Sequence, residues 1–323
     1  MTVKNGEILF IKSVKDGIPN RDPLNDSDAR RIFPEEDGRI SLSDVSIKRD
    51  VRDFVLDLYP DGGEGKKNLI FVQERVNEKG VLLGRKSLAE LIAKQAGKER
   101  EAEEDIKGVL LEHSFDVRTF GIVYSVKPKF HLTGPVQFGW AHSLHPVNSQ
   151  YVQGTVVMPS SDAKQDASGE GEEGKTQGTI WTSYTVPFAV FIMPAVINAK
   201  NAEHTGMTEE DQELLLRGLW QGTQHRQARG RGQQQPLLLL HVEYNDPFYR
   251  IGYLEDMVSM EPGAEAWKEE GRQPSSINDI KIDLTKLLET LQKNKDKIAR
   301  CRIWCHSSLA VVGDISAYKQ KLW

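Results

Sequence analysis

Residues 7–14, Glu-Ile-Leu-Phe-Ile-Lys-Ser-Val, alternate enough to predict a first strand. A turn-rich connection follows over residues 15–39, with Pro19, Asn20, Pro23, Asn25, Pro34 and Gly38. Connections of that length inside compact domains are usually functional or disordered. Over residues 43–59, at roughly 100° per residue, Ile47, Val51, Phe54, Val55 and Leu58 gather on one helical face. Ser43 suits the N-cap of that helix, and Pro60 with Gly62-Gly63 the stop. Residues 68–73 and 81–83 read as a strand pair around a turn at 77–80, with helices at 86–96 and 101–113. Residues 130–144 are strand-like and 179–196 are β-rich. Between them, residues 160–178 are Ser, Gly, Asp and Glu with no large apolar anchor, which predicts a flexible tip on a protruding hairpin. Thr208-Glu209-Glu210-Asp211 has a capping-box arrangement opening a helix through Leu214, Leu215, Leu219 and Trp220. Residues 236–244 read as a buried strand with 249–254 as its partner, then a helix at 283–299 and a last strand from 302.

Taken in order, strand, helix, strand pair, helix, strand match the ferredoxin-like βαββαβ pattern with insertions, so an α+β fold is expected. No internal repeat is visible. The longest apolar run, residues 186–197, contains Pro187 and Pro194 and is too short to span a bilayer. The N-terminal residues lack the apolar stretch of a signal peptide. Two cysteines exclude a disulfide framework and fit a reducing cytoplasm. They lie at 301 and 305, a spacing that suits neither a zinc knuckle nor a haem attachment site, so buried thiols are expected. With 323 residues the chain is long enough to bury a core without metal or disulfide.

Charge is unevenly spread. The net charge is −5, from 47 acidic against 42 basic residues, and acids concentrate at 99–105, 160–178, 203–213 and 255–270. Positive charge stands apart at Arg217, Arg226, Arg229 and Arg231, and at Arg118, Lys127 and Lys129. Such sorting is compatible with a nucleic-acid groove on an otherwise acidic protein. Within the helix at 43–59, Lys48, Arg49 and Arg52 fall on one flank, while Asp50, Asp53 and Asp57 fall on the other. One reading is a basic edge offered to phosphates with the acids turned away. The other is a solvated helix stitched by i,i+4 pairs, Asp44 with Lys48 and Arg49 with Asp53.

The loop before this helix holds Pro19-Asn20-Arg21-Asp22, and the helix entry runs through Ser43, Ser46, Lys48 and Arg49. An Arg shortly after strand one, followed by Ser, Lys and Arg at the next helix, resembles the RNA-backbone site of the CRISPR Cascade backbone subunit. Phe115-Asp116-Val117-Arg118-Thr119-Phe120-Gly121 is similar to that family's Asp-x-Arg-x-Phe-Gly segment. Thr133-Gly134-Pro135-Val136-Gln137-Phe138-Gly139 and Ala141-His142-Ser143-Leu144-His145-Pro146-Val147 resemble its most distinctive stretch. Gly178-Thr179, Thr208-Glu209-Glu210-Asp211 and Leu240-His241-Val242-Glu243-Tyr244 follow in the family's order, and the likeness is nearest to subtype I-B.

The resemblance implies a modified RRM-like palm in a single domain, 1–323. Finger-like insertions would lie at 60–113 and a thumb-like hairpin at 147–178. It implies a non-catalytic protein of antiviral defence that needs no cofactor or metal. Several copies would stack along one guide RNA (crRNA) beside other Cascade subunits, presenting the guide for pairing with target DNA. By the resemblance, Arg21, Lys48, Arg49 and Arg52 are phosphate contacts and Ser43 and Ser46 polar contacts. Arg118 and the loop arginines Arg226, Arg229 and Arg231 extend the RNA-binding set. These cations are expected to converge into one furrow.

Two features depart from the family pattern. Its basic loop before the strand at 237–244 carries serines, whereas here the loop is Gln224-His225-Arg226-Gln227-Ala228-Arg229-Gly230-Arg231-Gly232. Its charge is kept, Arg supplying forked donors and Gly allowing close approach. A bulky wedge is expected near the thumb base, yet Gly154 and Val123 stand there, leaving Tyr151 or Met158 as substitutes. An alternative function is a metal-dependent endoribonuclease cutting target RNA through an Asp after strand one, Asp22, Asp26 or Asp28. His142 and His145 read as a structural pair, and no phosphate loop or nucleophile elbow occurs.

Overall fold

The computed structural model of the chain describes residues 2–22, 24, 28–32, 37–156, 180–269 and 273–323. The strands are β1 (Gly6–Lys15), β2 (Ser41–Leu42), β3 (Gly121–Tyr124), β4 (Phe130–Thr133), β5 (Val136–Phe138), β6 (Ala141–Ser143), β7 (Gln150–Thr155), β8 (Ile180–Thr185), β9 (Phe188–Ile197), β10 (Gln233–Tyr244), β11 (Ser259–Glu261), β12 (Lys281–Asp283), β13 (Ile298–Cys305) and β14 (Ala310–Val312). The helices are α1 (Asp44–Leu58), α2 (Arg85–Ala96), α3 (Glu99–His113), α4 (Phe115–Phe120), α5 (Ala199–Thr205), α6 (Glu209–His225), α7 (Ala264–Glu269) and α8 (Thr285–Lys293). The fold is α+β with antiparallel pairing in its main sheet, ordered β13-β10-β1-β9-β6-β2, with β5 on the other end of β9.

β1 is buried over nine of its ten residues because the sheet is covered on both faces. Ile8, Phe10 and Val14 join the core beneath α1 and α6, with Val51, Val55, Leu215 and Leu219. Leu9 and Ile11 point the other way, into a core with Ile282, Leu287 and Leu291. Each such side chain contributes roughly 1.5–3 kcal/mol of burial. A third core, with Ile92 of α2, Leu110 of α3, Val117 of α4 and Ile122 of β3, forms a lobe beside the sheet.

Several elements differ from the sequence pattern. The expected strand pair at 68–73 and 81–83 is reduced to bridges, Leu69 with Ser114 and Val76 with Leu82. Val76, Val81 and Leu82 are exposed there, so no buried face stabilises the strands. The strand-like run at 130–144 is three short strands, interrupted at Gly134-Pro135 and Gly139-Trp140. Residues 249–254 do not pair with β10. They wrap the Glu7 carboxylate, which accepts from the backbone of Ile251 and Gly252, and β13 takes the edge of β10 instead. The helix expected to reach 299 stops at Lys293, because Ile298 is already paired with Tyr244. Residues 115–120 form the buried helix α4, for which the sequence pattern had no element. β7 and β8 pair from Gln150 with Thr185 to Thr155 with Ile180. The tip expected at 160–178 lies outside the described residues.

Candidate nucleic-acid interface

The start of α1, the turn after β1 and the loop before β10 meet at one end of the sheet. Ile18 N–H donates to Gly230 O (2.8 Å), joining the turn to the loop, and Gly17 N–H donates to Val186 O between β8 and β9 (3.1 Å). Where the two loops cross, a Cβ on Gly17 would lie 2.0 Å from the Gly232 nitrogen. Glycine is therefore required at that crossing.

Asp50 organises the charge. It is 1% exposed, and its carboxylate accepts from Lys12 Nζ (3.2 Å), Arg226 Nη1 (2.9 Å) and Arg231 Nη2 (3.0 Å). Lys12, on the helix-facing side of β1, also donates to Gln234 Oε1 (2.8 Å). Burial lowers the Lys12 pKa against the pull of Asp50, and burial likewise lowers that of Arg231. Arg226 reaches a second carboxylate, Asp53 (3.3 Å), which also takes Arg49 (2.6 Å). More cation than anion is packed here, an arrangement that attracts an external anion.

A recess of about 420 Å³ opens beside these groups. Arg21, Arg49, Arg226, Arg229 and Arg231 line it, together with Pro19, Asn20, Val45 and Ser46. Nε of Arg231 and Nδ2 of Asn20 are buried without a hydrogen-bond partner among the described residues. Donors outnumber acceptors at this point, which is unusual for buried polar groups. Chemically the recess is suited to a phosphodiester, since its five guanidinium groups supply forked donors to phosphate oxygens.

The expected single furrow is divided. Arg21, Arg49, Arg226, Arg229 and Arg231 come together, but Lys48 and Arg52 turn away from the recess, over the Phe120 ring. Both are held by carboxylates, Lys48 by Asp44 (2.7 Å) and Arg52 by Asp116 (2.8 Å). Arg49, grouped with them in the sequence, belongs with the loop arginines. Asp50, expected to be turned away, is the centre of the cluster; only the strand partner Lys12, invisible to a helical projection, reveals why. The hydroxyls of Ser43 and Ser46 are used to hold the turn, donating to Asn20 Oδ1 (3.2 Å) and Pro19 O (3.4 Å). Arg118 corrects the expectation most clearly. It is buried, bonded to Asp211 at 2.7 and 3.1 Å and to the carbonyls of Leu111, Glu112 and Lys67. Its guanidinium joins α4 to α6 and is not offered to solvent.

Of the acids proposed for cleavage, Asp22 faces Arg30 (3.8 Å), Asp28 accepts from the next backbone N–H, and Asp26 lies outside the described residues. Among the described residues no three His, Cys, Asp or Glu side chains gather as a metal cluster. His142 sits on β6 beside Ser41, and His145 is buried against Phe188. Cys301 and Cys305 are free thiols on β13, and burial pushes Cys301 up to about 12. Tyr151 is half exposed and edge-on to Tyr184, while Met158 lies outside the described residues. Among the described residues no helix is long and apolar enough to cross a membrane.

A sequence profile of the family described as CRISPR-associated protein Cas7 matches residues 4–285. A relative from Haloferax volcanii, named CRISPR-associated protein Cas7, is 24% identical over 342 residues, covering 97% of this chain and 88% of the relative. A chain of a CRISPR RNA-guided surveillance complex superposes with a TM-score of 0.55 at 15% identity, covering 99% of this chain and 95% of that one. Another, from such a complex in a pre-nicking state, gives 0.53 at 15% identity, covering 96% of each. These two likenesses concern the fold.

Proposed function

The chain belongs to the CRISPR-associated Cas7 family, and from that premise we propose that it is a non-catalytic, guide-RNA-binding backbone subunit of a CRISPR surveillance complex. Several copies would line one crRNA beside other Cascade subunits of the cytoplasm, in a type I system nearest to I-B. The observation that carries this reading is the recess lined by five arginines, three of which pair with Asp50 or Asp53. Clustered guanidinium groups suit a sugar-phosphate strand of any sequence, leaving recognition to pairing between guide and target DNA.

In this reading β1, α1, β5 with β6, β9, α6 and β10 form an RRM-like palm, 60–113 contributes the fingers and 147–178 the thumb. Arg21, Arg49, Arg226, Arg229 and Arg231 are the phosphate contacts; Ser43 and Ser46 shape the turn that presents Arg21. Lys48 and Arg52 form a flank that reaches RNA only by exchanging a carboxylate for a phosphate. Arg118 serves the fold.

Replacing Arg226 and Arg231 with Ala tests the proposal. Affinity for single-stranded RNA should fall alike for unrelated sequences, and the salt slope should drop by roughly 0.7 per lost contact. Filter binding across a salt series, with circular dichroism as a folding control, measures both. Unaltered affinity and slope in the folded double variant would refute the assignment.

A further inference from the structure

Among the described residues, Arg21 and Arg229 differ from the other cations of the site. Neither meets a carboxylate, and both instead touch β8 of the hairpin. Arg21 Nη2 donates to Ser183 Oγ at 2.8 Å, and that hydroxyl donates onward to Tyr184 O at 3.2 Å, so its orientation is set. The loop closes on the same guanidinium: a Cβ on Gly230, whose φ is +80°, would lie 2.3 Å from Arg21 Nη2. Arg229 stacks with its guanidinium carbon 4.7 Å from the centre of the Trp181 ring. Opposite Trp181 on β7 stands Gly154, where any Cβ would come within 2.4 Å of the indole. The glycine at this position gives the ring room to lie across β7 beneath Arg229.

A guanidinium that spends one N–H on a serine, or its face on an indole, keeps its remaining in-plane donors for a phosphate. Both groups line the recess. We propose that Trp181 and Ser183 are positioning residues, through which the base of the hairpin presents Arg229 and Arg21 to the phosphate strand. This deepens the phosphate-binding reading above and rests on it. It also makes the hairpin and the strand mutually dependent: whatever orders the two guanidinium groups for one orders them for the other.

The test is a pair of double-mutant cycles on the full chain, read by fluorescence anisotropy with a labelled single-stranded RNA. Trp181→Ala should weaken binding about three- to five-fold, the scale of a stacked cation, and Trp181→Phe should restore most of the loss. In an Arg229→Ala background Trp181→Ala should have no further effect, whereas in an Arg49→Ala background its effect should persist in full. Ser183→Ala and Arg21→Ala form the second cycle, which decides the matter if Trp181→Ala does not fold. A loss from Trp181→Ala that is the same with and without Arg229 overturns the inference. So does unchanged binding in Trp181→Ala when Arg226→Ala and Arg231→Ala do weaken it. If those arginine variants also bind normally, the phosphate reading itself has failed.

Discussion

At the scale of single residues, Asp50 matters most. One carboxylate, nearly without exposure, balances Lys12 in full burial and anchors two loop arginines. Replacing it with Asn removes the anion and leaves a buried ammonium uncompensated. Asp50→Asn should therefore lower stability by about 3–5 kcal/mol in urea unfolding, as the loss of one member of a buried ion pair does. Lys12→Met combined with Asp50→Asn should recover only part of that loss, because the buried ammonium is gone while Arg231 still lacks its carboxylate. The charge run named Arg226, Arg229 and Arg231 and the helical projection Arg49, whereas Arg21 was implied by the family resemblance. The projection placed Asp50 on the wrong side of the argument, because its partners lie 38 and 176 or more positions away.

Among the elements, α6 shows how local and distant determinants meet. Thr208 accepts from the Asp211 backbone at 3.2 Å, and Asp211 accepts in turn from Thr208 N–H at 2.9 Å, the capping box legible from four residues. The same Asp211 carboxylate holds Arg118 of α4, which nothing in those four residues announces. Thr208→Ala should cost about 1 kcal/mol, the usual worth of an N-cap, in thermal unfolding. Arg118→Ala should cost more, because it strands Asp211 and leaves three carbonyls without their donor. Misread elements have a common origin. α8 ends early and β10 takes β13 as its neighbour because pairing in the sheet outranks local helical tendency. The run at 130–144 breaks where Pro135 cannot donate to a ladder.

For the whole molecule, the main sheet lies between two apolar layers, with buried histidines at His241 on β10 and at His145 just after β6. Burial holds His145 at about 4 and His241 at about 3; the charge of Arg302 beside His241 adds to the depression. Both are neutral in the folded protein near pH 7, whereas in the unfolded chain they protonate near 6.5. The unfolded state thus binds more protons below that pH. Stability is complete above about pH 6.5 and falls as the pH drops toward 4, by on the order of a few kcal/mol for the pair. Urea midpoints measured from pH 7 to pH 4 check this, and His145→Phe, which keeps the ring against Phe188, should flatten the acid limb.

The order of amino acids by itself determined the α+β character, the amphipathic face of α1, the cap of α6, the basic loop and the family, because each is written in neighbours or in ordered short motifs. Tertiary structure alone decided which cations share a recess. Lys48 and Arg49 are adjacent in the chain yet face different neighbours, and Arg21 and Arg229, far apart in the chain, meet one hairpin strand. Electrostatic interaction depends on distance through space, and only the packing of β1, α1 and β8 sets that distance.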